Sequence, residues 1–287
     1  MQEDGFTLRE ATIGIIGLGL MGGSLALALR GHCRRLIGLD ADPAAMQAAQ
    51  ARRIVDEAQS DPANLLGAAD LVVLSVPVPA ILQWLEKLPG LTRRRLIVLD
   101  IGSTKRRIVQ AMDALPVNFE PIGGHPVCGR EQLTLENSDA ALFQGAPFIL
   151  TSLARTTQRA LSAARQIVSS AGSRLMEVSA EEHDRALAST SHLPFLLASA
   201  LALGTPLEFG AFLGTGFRST ARLAATPASM MLGVLESNRD HIAQSIHRFR
   251  ESLSLIESAL NAEDSRALAD ALDRSRHAYE SLLTAQS

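Results

Sequence analysis

Cysteine is scarce in this chain of 287 residues, which contains only Cys33 and Cys128. Two cysteines cannot form the disulfide framework on which small secreted domains depend, and this pair matches no metal-ligand spacing. We therefore expect no structural disulfide and no bound metal. A reducing compartment, the cytoplasm, is the expected location.

Excess positive charge is missing as well. The 27 lysine and arginine residues face 30 aspartate and glutamate residues, which gives a formal net charge of −3. Nucleic-acid-binding domains usually show a basic balance or a basic face, so no nucleic-acid partner is expected. The N-terminal segment MQEDGFTLRE lacks the apolar stretch of a signal peptide. No uncharged apolar run reaches the ~20 residues that span a bilayer, so no membrane association is expected either.

The first part of the chain alternates short apolar runs with helical patterns. The predicted strands are residues 12–16, 35–39, 71–76, 96–100, 119–122 and 148–150. Helices are predicted over residues 21–30 and 79–88, and another is expected to start at Asp42-Pro43, a capping residue followed by proline. Such alternation is typical of a mostly parallel sheet covered by helices on both faces.

Beyond about residue 179 the strand-like runs disappear, and long segments rich in alanine and leucine follow. The predicted helices are residues 181–203, 218–224, 227–260 and 263–283, with residues 204–216 as the main interruption. Asp264 is expected in the first turn of the last helix, where an acidic side chain suits the helix dipole. The simplest account is an α/β nucleotide-binding domain over residues 1–179 and an all-α domain over residues 180–287.

A glycine-rich turn joins the first predicted strand to the first predicted helix. Gly17, Gly19 and Gly22 give it the pattern of a dinucleotide-binding turn, in which glycines allow the pyrophosphate to approach the backbone closely. Asp40 ends the second strand ~20 residues further on, where a carboxylate binds the ribose hydroxyls and repels the 2′-phosphate of NADP. We therefore predict NAD as the cofactor, with NADP less favoured. The predicted cofactor-binding set is Gly17, Gly19, Leu20, Met21, Gly22, Asp40, Val76 and Pro77.

Four further segments could carry chemistry, and each also has a structural explanation. GSTK at 102–105 could be a helix cap, and the histidine of the GGHPVCG loop at 123–129 could be exposed and idle. SHLP at 191–194 places a histidine in an apolar helical segment, where a core role is common. GFRSTAR at 216–222 places two arginines four residues apart on one helix face. These arginines could form surface salt bridges, or they could bind a carboxylate group of the substrate. A non-catalytic NAD-sensing module would not need these groups together, so their proximity in space distinguishes an enzyme from a sensor.

Taken together, the segments resemble the prephenate/arogenate (cyclohexadienyl) dehydrogenase family of tyrosine biosynthesis. The matching motifs are GLGLMGGS at 17–24, DIGSTK at 100–105, GGHPVCG at 123–129, HD at 183–184, SHLP at 191–194 and GFRSTAR at 216–222. The resemblance implies a Rossmann-type nucleotide-binding domain followed by an all-α dimerisation domain, and hence a homodimer. It also implies NAD-dependent oxidative decarboxylation of prephenate to 4-hydroxyphenylpyruvate, or of arogenate to tyrosine, or of both.

The resemblance assigns roles to individual residues. His125 is the group that accepts the proton of the substrate's C4 hydroxyl, and an imidazole with a pKa near ~6.5 suits that role close to neutral pH. Ser103 hydrogen-bonds the same hydroxyl. Arg222 binds the ring carboxylate, and His192 lies near the substrate side chain. The acids that match positions where family members organise these cations are Asp184 and Glu131.

Two departures from the family pattern concern the substrate side of the site. Family members often carry a Trp-Asp pair after the arginine motif, but this chain has SMMLG at 229–233, and Ala221 replaces the common threonine before Arg222. Both changes leave the choice between prephenate and arogenate open. A rival class, the β-hydroxyacid dehydrogenases, needs a catalytic lysine in the helical half. Lys105 is the last lysine of the chain, which argues against that class.

Overall fold

The structure is a computed structural model that describes residues 5–130 and 132–285, so the predicted Glu131 lies outside the described residues. The chain forms two compact units, of which the first ends at Asn238 and the second begins at Arg239. All side chains discussed below as parts of the site belong to the first unit. The predicted domain boundary between residues 179 and 180 stays a prediction.

One sheet organises the first unit. Its strands, among the described residues, are β1 (Thr12–Ile16), β2 (Arg35–Leu39), β3 (Glu57–Ala58), β4 (Leu71–Leu74), β5 (Leu96–Asp100), β6 (Phe119–Pro126), β7 (Pro147–Thr151) and β8 (Arg174–Glu177). They are ordered β3-β2-β1-β4-β5-β6-β7-β8. Neighbouring strands run parallel, except that β6 and β7 are antiparallel. The predicted mostly parallel sheet of a Rossmann-type domain is confirmed.

Helices follow most strands, and after β8 the described part of the chain contains helices without further strands. Those described in the first unit are α1 (Leu20–Leu29), α2 (Pro43–Ala51), α3 (Pro62–Ala68), α4 (Val78–Leu91), α5 (Arg106–Asp113), α6 (Gln158–Ser170), α7 (Ala180–Leu187), α8 (Leu193–Gly204), α9 (Thr215–Ala221) and α10 (Ala228–Ser237). The second unit consists of α11 (Arg239–Asn261) and α12 (Ser265–Thr284), which pack against each other. The predicted helix start at Asp42-Pro43 is confirmed, because Asp42 Oδ1 accepts a hydrogen bond from the Ala44 amide at 2.9 Å.

The side chains of each strand divide between two cores, one on each face of the sheet. In β4, Leu71 and Val73 belong to one core, and Val72 and Leu74 belong to the other. All four are fully buried. A strand covered on both faces has no position for a polar side chain, which explains the continuous apolar run in its sequence.

The GGHPVCG segment is not the loop that its glycines suggest. Strand β6 continues to Pro126, and His125 pairs with Ile149 of β7. A Cβ atom on Gly124 would lie 2.8 Å from the carbonyl oxygen of Asp100. The loop prediction was wrong because this glycine serves a close approach between neighbouring backbones and not a turn.

Two helix predictions in the last third of the chain also need correction. The helix predicted over residues 227–260 is interrupted at Asn238, whose backbone leaves the helical region with φ −126° and ψ 29°. Asp264 does not lie inside the last helix but caps it, since its Oδ1 accepts a hydrogen bond from the Ala267 amide at 2.9 Å. The residue before it, Glu263, has a φ of 52° and lies in the turn between α11 and α12.

The helical run Ala180–Gly204 is long and apolar enough to span a membrane by length and composition, with a mean hydropathy of 1.5 over its best window. It contains α7, a π-helical turn (Ala188–His192) and α8. His183, Asp184 and His192, which belong to this run, are buried within the first unit. The best window of this run is 22% buried in the structure, and length and composition alone do not distinguish a membrane-spanning helix from a helix of a folded unit.

Candidate active site

A cavity of about 550 Å³ opens at the carboxyl ends of β5 and β6. Ser103, His125, His192 and Arg222 all line it, although they come from four separate segments. His125 and His192 are buried, Ser103 is half-buried, and Arg222 is exposed. Ligands of open α/β sheets bind outside the carboxyl ends of the strands, which is where this cavity lies.

Ser103 is not the helix cap that its sequence context allows. Helix α5 begins at Arg106, and Lys105 occupies the N-cap position. The serine therefore belongs to the short connection between β5 and α5, and its side chain borders the cavity.

The two arginines of the GFRSTAR segment are separated by the end of α9. Arg218 lies within the helix, and its Nε donates a hydrogen bond to the carbonyl oxygen of Leu213 at 3.4 Å. Arg222 follows the helix and begins a 3₁₀ turn (Arg222–Ala225). Of the two, Arg222 lines the cavity. Arg222 keeps helical backbone angles, φ −51° and ψ −42°, at the end of α9, so the predicted shared face of the two arginines stays a prediction.

Beneath the cavity lies a fully buried ion pair between Lys105 and Asp100. Lys105 Nζ donates hydrogen bonds to Asp100 Oδ2 and to the carbonyl oxygen of Gly124, the latter at 2.6 Å. Burial lowers the pKa of Lys105 and raises the pKa of Asp100, and the attraction between the two opposes both changes. The contact with Gly124 fixes the backbone immediately before His125, so the ion pair positions the histidine.

His125 is held from behind by a second histidine. The Nδ1 atom of His125 lies 2.8 Å from Nε2 of His183, and Nδ1 of His183 lies 2.8 Å from Oδ1 of Asp184. Burial, together with His183, Lys105 and His192, lowers the pKa of His125 well below its ordinary value. The imidazole is therefore neutral near pH 7, as an acceptor of a substrate proton must be.

Asp184 is the charged end of this row of side chains. Burial alone would raise its pKa, but the bond to His183 and the hydrogen bonds from the amides of Arg106 and Lys105 lower it below the ordinary value. Those amide bonds measure 3.0 Å to Oδ2 and 2.7 Å to Oδ1. Asp184 is therefore an ionised carboxylate that has no contact with solvent and is stabilised by these hydrogen bonds. Its predicted role in organising the site stays a prediction.

His192 ends the π-helical turn, a type of irregularity often found at functional sites. Burial lowers its pKa to about 4, so the ring is neutral near pH 7. The side-chain amide of Asn238 donates to Asp184 O at 2.6 Å and lies 3.3 Å from Nδ1 of His192. Because an amide NH₂ group can only donate, Nδ1 of His192 accepts and its proton resides on Nε2.

The predicted cofactor-binding residues lie at the carboxyl ends of three neighbouring strands: the glycine turn follows β1, Asp40 follows β2, and Val76 and Pro77 follow β4. Gly17 has a φ of +97°, and a Cβ atom on Gly22 would lie 1.9 Å from the carbonyl oxygen of Gly17. Asp40 follows β2, and its Oδ2 accepts a hydrogen bond from the Leu18 amide at 2.6 Å. Val76 contacts the turn as well, since its Cγ1 would lie 2.6 Å from a Cβ atom on Gly17.

Several features of this turn fit a bound dinucleotide. Helix α1 begins after Gly19 without a side-chain cap, as expected for a helix N-terminus that binds a phosphate. The buried hydroxyl of Ser75 has no hydrogen-bond partner among the described residues and lies beside Gly22. The Leu20 amide, at the start of α1, donates to the carbonyl oxygen of Leu133 at 2.8 Å, so this amide is already engaged in the present structure. Within the described residues no group of three His, Cys, Asp or Glu side chains could hold a metal ion.

A dinucleotide turn and a neutral histidine, serine and arginine around one cavity define a nicotinamide-dependent dehydrogenase that acts on an anionic alcohol. The chain matches the family model "Prephenate dehydrogenase, nucleotide-binding domain" over residues 25–177 and "Prephenate dehydrogenase, dimerization domain" over residues 179–274. It belongs to the prephenate dehydrogenase family.

Individual relatives agree with this membership. The prephenate dehydrogenase of Bacillus subtilis is 32% identical over 270 residues, which cover 90% of this chain and 72% of the relative. The cyclohexadienyl dehydrogenase of Zymomonas mobilis is 30% identical over 285 residues, covering 95% of this chain and 96% of that protein. The crystal structure of A. aeolicus prephenate dehydrogenase with hydroxyphenyl propionate and NAD⁺ has a TM-score of 0.88 at 27% identity, covering 96% of this chain and 100% of that one.

Sequence reasoning missed part of the site. The DIGSTK and HD motifs contain Lys105 and His183 but do not indicate what these side chains contact, and the sequence predicts no role for Asp100 or Asn238. The HD motif was the available signal for His183, since a histidine beside an acid can be oriented by a neighbour. Asn238 had no local signal, because its two partners lie 46 and 54 positions earlier in the chain.

Proposed function

We propose that the protein catalyses the oxidative decarboxylation of prephenate to 4-hydroxyphenylpyruvate, with NAD as the hydride acceptor, in tyrosine biosynthesis. The observation that supports this proposal is the single cavity lined by Ser103, His125, His192 and Arg222. A non-catalytic NAD sensor would have no need to gather these four side chains.

The reaction needs a proton acceptor at the C4 hydroxyl and a cation at the ring carboxylate. His125 is the proton acceptor, and Ser103 hydrogen-bonds the same hydroxyl. Arg222 binds the ring carboxylate through a charge-assisted contact. When bound, the oxidised nicotinamide accepts the hydride from C4, and loss of carbon dioxide then makes the ring aromatic. In this scheme the glycine turn with Asp40 holds the dinucleotide.

His192 contributes a hydrogen-bond donor on the substrate side chain. Since Asn238 occupies Nδ1, the Nε2–H group is the one available to a ligand. A neutral donor is suited to the keto and carboxylate oxygens of a pyruvyl group, which can only accept. The low pKa of His192, about 4, keeps this donor uncharged over the working pH range.

The cavity favours prephenate over arogenate. Arogenate carries an ammonium group where prephenate carries a keto group. Among the described residues that line the cavity there is no Asp or Glu, and Met230 and Met231 occupy the segment where family members often carry Trp-Asp. A buried ammonium group without an anionic partner is costly. The alternative is a dual-specificity enzyme, as the name of the Z. mobilis relative indicates for that protein.

Asp40 supports NAD over NADP. Its carboxylate lies at the end of β2, where the adenosine ribose binds in this fold, and both oxygens already accept backbone hydrogen bonds from Leu18 and Asp42. These hydrogen bonds fix the position of the Asp40 carboxylate, whose negative charge would repel the 2′-phosphate of NADP. The A. aeolicus structure contains NAD⁺.

One kinetic experiment tests the choice of substrate and cofactor together. We would measure kcat/KM from absorbance at 340 nm for prephenate and arogenate, each with NAD and with NADP. We expect prephenate to exceed arogenate by about 10-fold or more, because a site that leaves a polar group unpaired discriminates strongly. We expect NAD to exceed NADP by about 10-fold or more because of the like charges at Asp40. Equal values for the two substrates would establish dual specificity, and a preference for arogenate would contradict the proposal.

We also propose a homodimer, which the match to a dimerization-domain model supports. The second unit exposes large apolar side chains on α11 and α12, among them Leu253, Leu255, Leu272 and Leu282. Exposed apolar surface of this kind marks an interaction site. Size-exclusion chromatography with light scattering should give twice the chain mass of 30.6 kDa, and a monomer at micromolar concentration would contradict the dimer.

A further inference from the structure

We infer that His183 and Asp184 act behind His125 as positioning residues that fix its tautomer and take over its positive charge. This inference deepens the proposed function, because it rests on His125 being the proton acceptor. It follows from the row Asp184–His183–His125, in which two successive contacts measure 2.8 Å.

The ionised carboxylate of Asp184 determines the direction of each hydrogen bond in the row. Asp184 accepts hydrogen bonds from two backbone amides and is ionised, so it has no proton to donate. Nδ1 of His183 must therefore carry the proton of its contact with Asp184. In a neutral His183 this leaves Nε2 as an acceptor. Nδ1 of His125 must then donate to it, and Nε2 of His125 has a free electron pair.

That tautomer is the one a proton acceptor needs. His125 lines the cavity, and the nitrogen not engaged by His183 is Nε2. Without the row behind it, His125 could equally carry its proton on Nε2 and would then donate to the substrate hydroxyl instead of accepting from it. The row thus selects a proton acceptor over a donor, much as a buried aspartate does behind the histidine of a serine protease.

The same row can carry the charge away from the substrate. When Nε2 of His125 takes the hydroxyl proton, the proton on Nδ1 of His125 can pass to Nε2 of His183. His125 is then neutral again with its proton on Nε2, and His183 is an imidazolium ion paired with the carboxylate of Asp184. One proton has left the substrate oxygen and one positive charge has appeared on His183, so the step balances without another reactant.

The charges around the two rings favour this location of the proton. His125 faces His183, Lys105 and His192, all of which disfavour a positive charge on it. His183 faces Lys105 too, but it also faces the carboxylates of Asp184 and Asp100, which favour a charge there. Arg106 lies on the far side of Asp184, with its Nε 3.6 Å from Oδ2.

Nitrogen-15 NMR of the substrate-free protein with labelled histidine tests the tautomers directly. We expect His125 and His183 to carry their protons on Nδ1 at pH 7, and His192 to carry its proton on Nε2, which provides an internal control of opposite sign. On acidification, the first proton taken up by the pair should appear on His183. A proton on Nε2 of His125 at pH 7 would overturn the inference, whatever the kinetics show.

Two substitutions of His183 separate its role from a merely structural one. In His183→Gln the side-chain oxygen can still accept from Nδ1 of His125, so we expect the tautomer to persist and kcat to fall by about 10-fold or less. In His183→Leu the acceptor is lost, so we expect a mixed tautomer and a kcat lower by about 10²-fold, the contribution of a correctly poised proton acceptor. KM should change less than threefold in both, and the exposed His32→Leu serves as the control.

The outcomes distinguish this inference from the proposed function. If the wild-type protein turns over neither prephenate nor arogenate but shows the expected tautomers, the proposed function fails and the tautomer assignment holds. If His183→Leu keeps both the His125 tautomer and kcat within threefold of wild type, the inference fails and the proposed function stands. Should His183→Leu not fold, the wild-type spectrum and His183→Gln still decide.

Discussion

Replacing His125 by asparagine should lower kcat with prephenate and NAD by about 10²- to 10⁴-fold, the usual contribution of a general base. Asparagine fits the space and keeps a hydrogen bond, but it cannot hold a proton in the transition state. Since the lost interaction exists only as the proton transfers, kcat and kcat/KM should fall together. Initial rates of NADH formation at 340 nm, with NAD affinity measured by calorimetry, provide the measurement.

The matched control for this substitution is His32→Asn, which changes an exposed histidine of the same unit. Its kcat should stay within twofold of wild type. NAD affinity should be unchanged in both variants, because the glycine turn and Asp40 are separate from His125. A His125→Asn enzyme with kcat within threefold of wild type would remove His125 from the mechanism.

Replacing Arg222 by glutamine should lower kcat/KM for prephenate by about 30- to 150-fold, chiefly through a higher KM. A hydrogen bond to a charged group contributes about 1.5–3 kcal/mol, and a bidentate contact between a guanidinium and a carboxylate belongs to the upper part of that range. The ring carboxylate is present before and during hydride transfer. Loss of its contact with Arg222 therefore weakens the binding of the substrate and of the transition state by similar amounts.

Arg218→Gln is the matched control, because Arg218 belongs to the same segment but bonds to the carbonyl oxygen of Leu213. We expect its kcat/KM to stay within threefold of wild type. If the two substitutions had equal effects, the assignment of the carboxylate to Arg222 would be wrong. A large effect of Arg218→Gln alone would move the carboxylate site to the other arginine.

The nucleotide-binding half could be predicted closely because its signals are local. A strand, a turn that only glycine permits and a helix follow one another within residues 12–29, and Gly17 with its φ of +97° requires that residue type by itself. The buried strands were recognisable for a similar reason: a strand covered on both faces must be apolar throughout. These are properties of short segments, so the sequence alone displays them.

The parts that were missed depend on contacts between distant segments. The two glycines before His125 predict a loop, but pairing with β7 extends the strand through this histidine. Asn238 interrupts a helix whose apolar pattern continues, and its side chain bonds to Asp184 and His192 from earlier helices. No periodicity within residues 227–260 could display partners that lie outside that range.

The candidate site divides in the same way. The side chains that line the cavity came from recognisable motifs, and the structure brings Ser103, His125, His192 and Arg222 together. The contacts of His183 and Asp184 behind His125 could not be predicted, because the HD motif does not show that His183 lies against His125. Orientation of one ring by another is a property of the folded chain, and it controls which nitrogen carries the proton.

The most direct test of the account is the stoichiometry of the reaction. Purified protein would be incubated with prephenate and NAD, and NADH, 4-hydroxyphenylpyruvate and carbon dioxide would be quantified together, with His125→Asn in parallel. We predict that the three products form in equal amounts in the wild-type protein and at least about 10²-fold more slowly in the variant. Tight NAD binding without NADH formation from either prephenate or arogenate would contradict the central claim that this cavity is a dehydrogenase site.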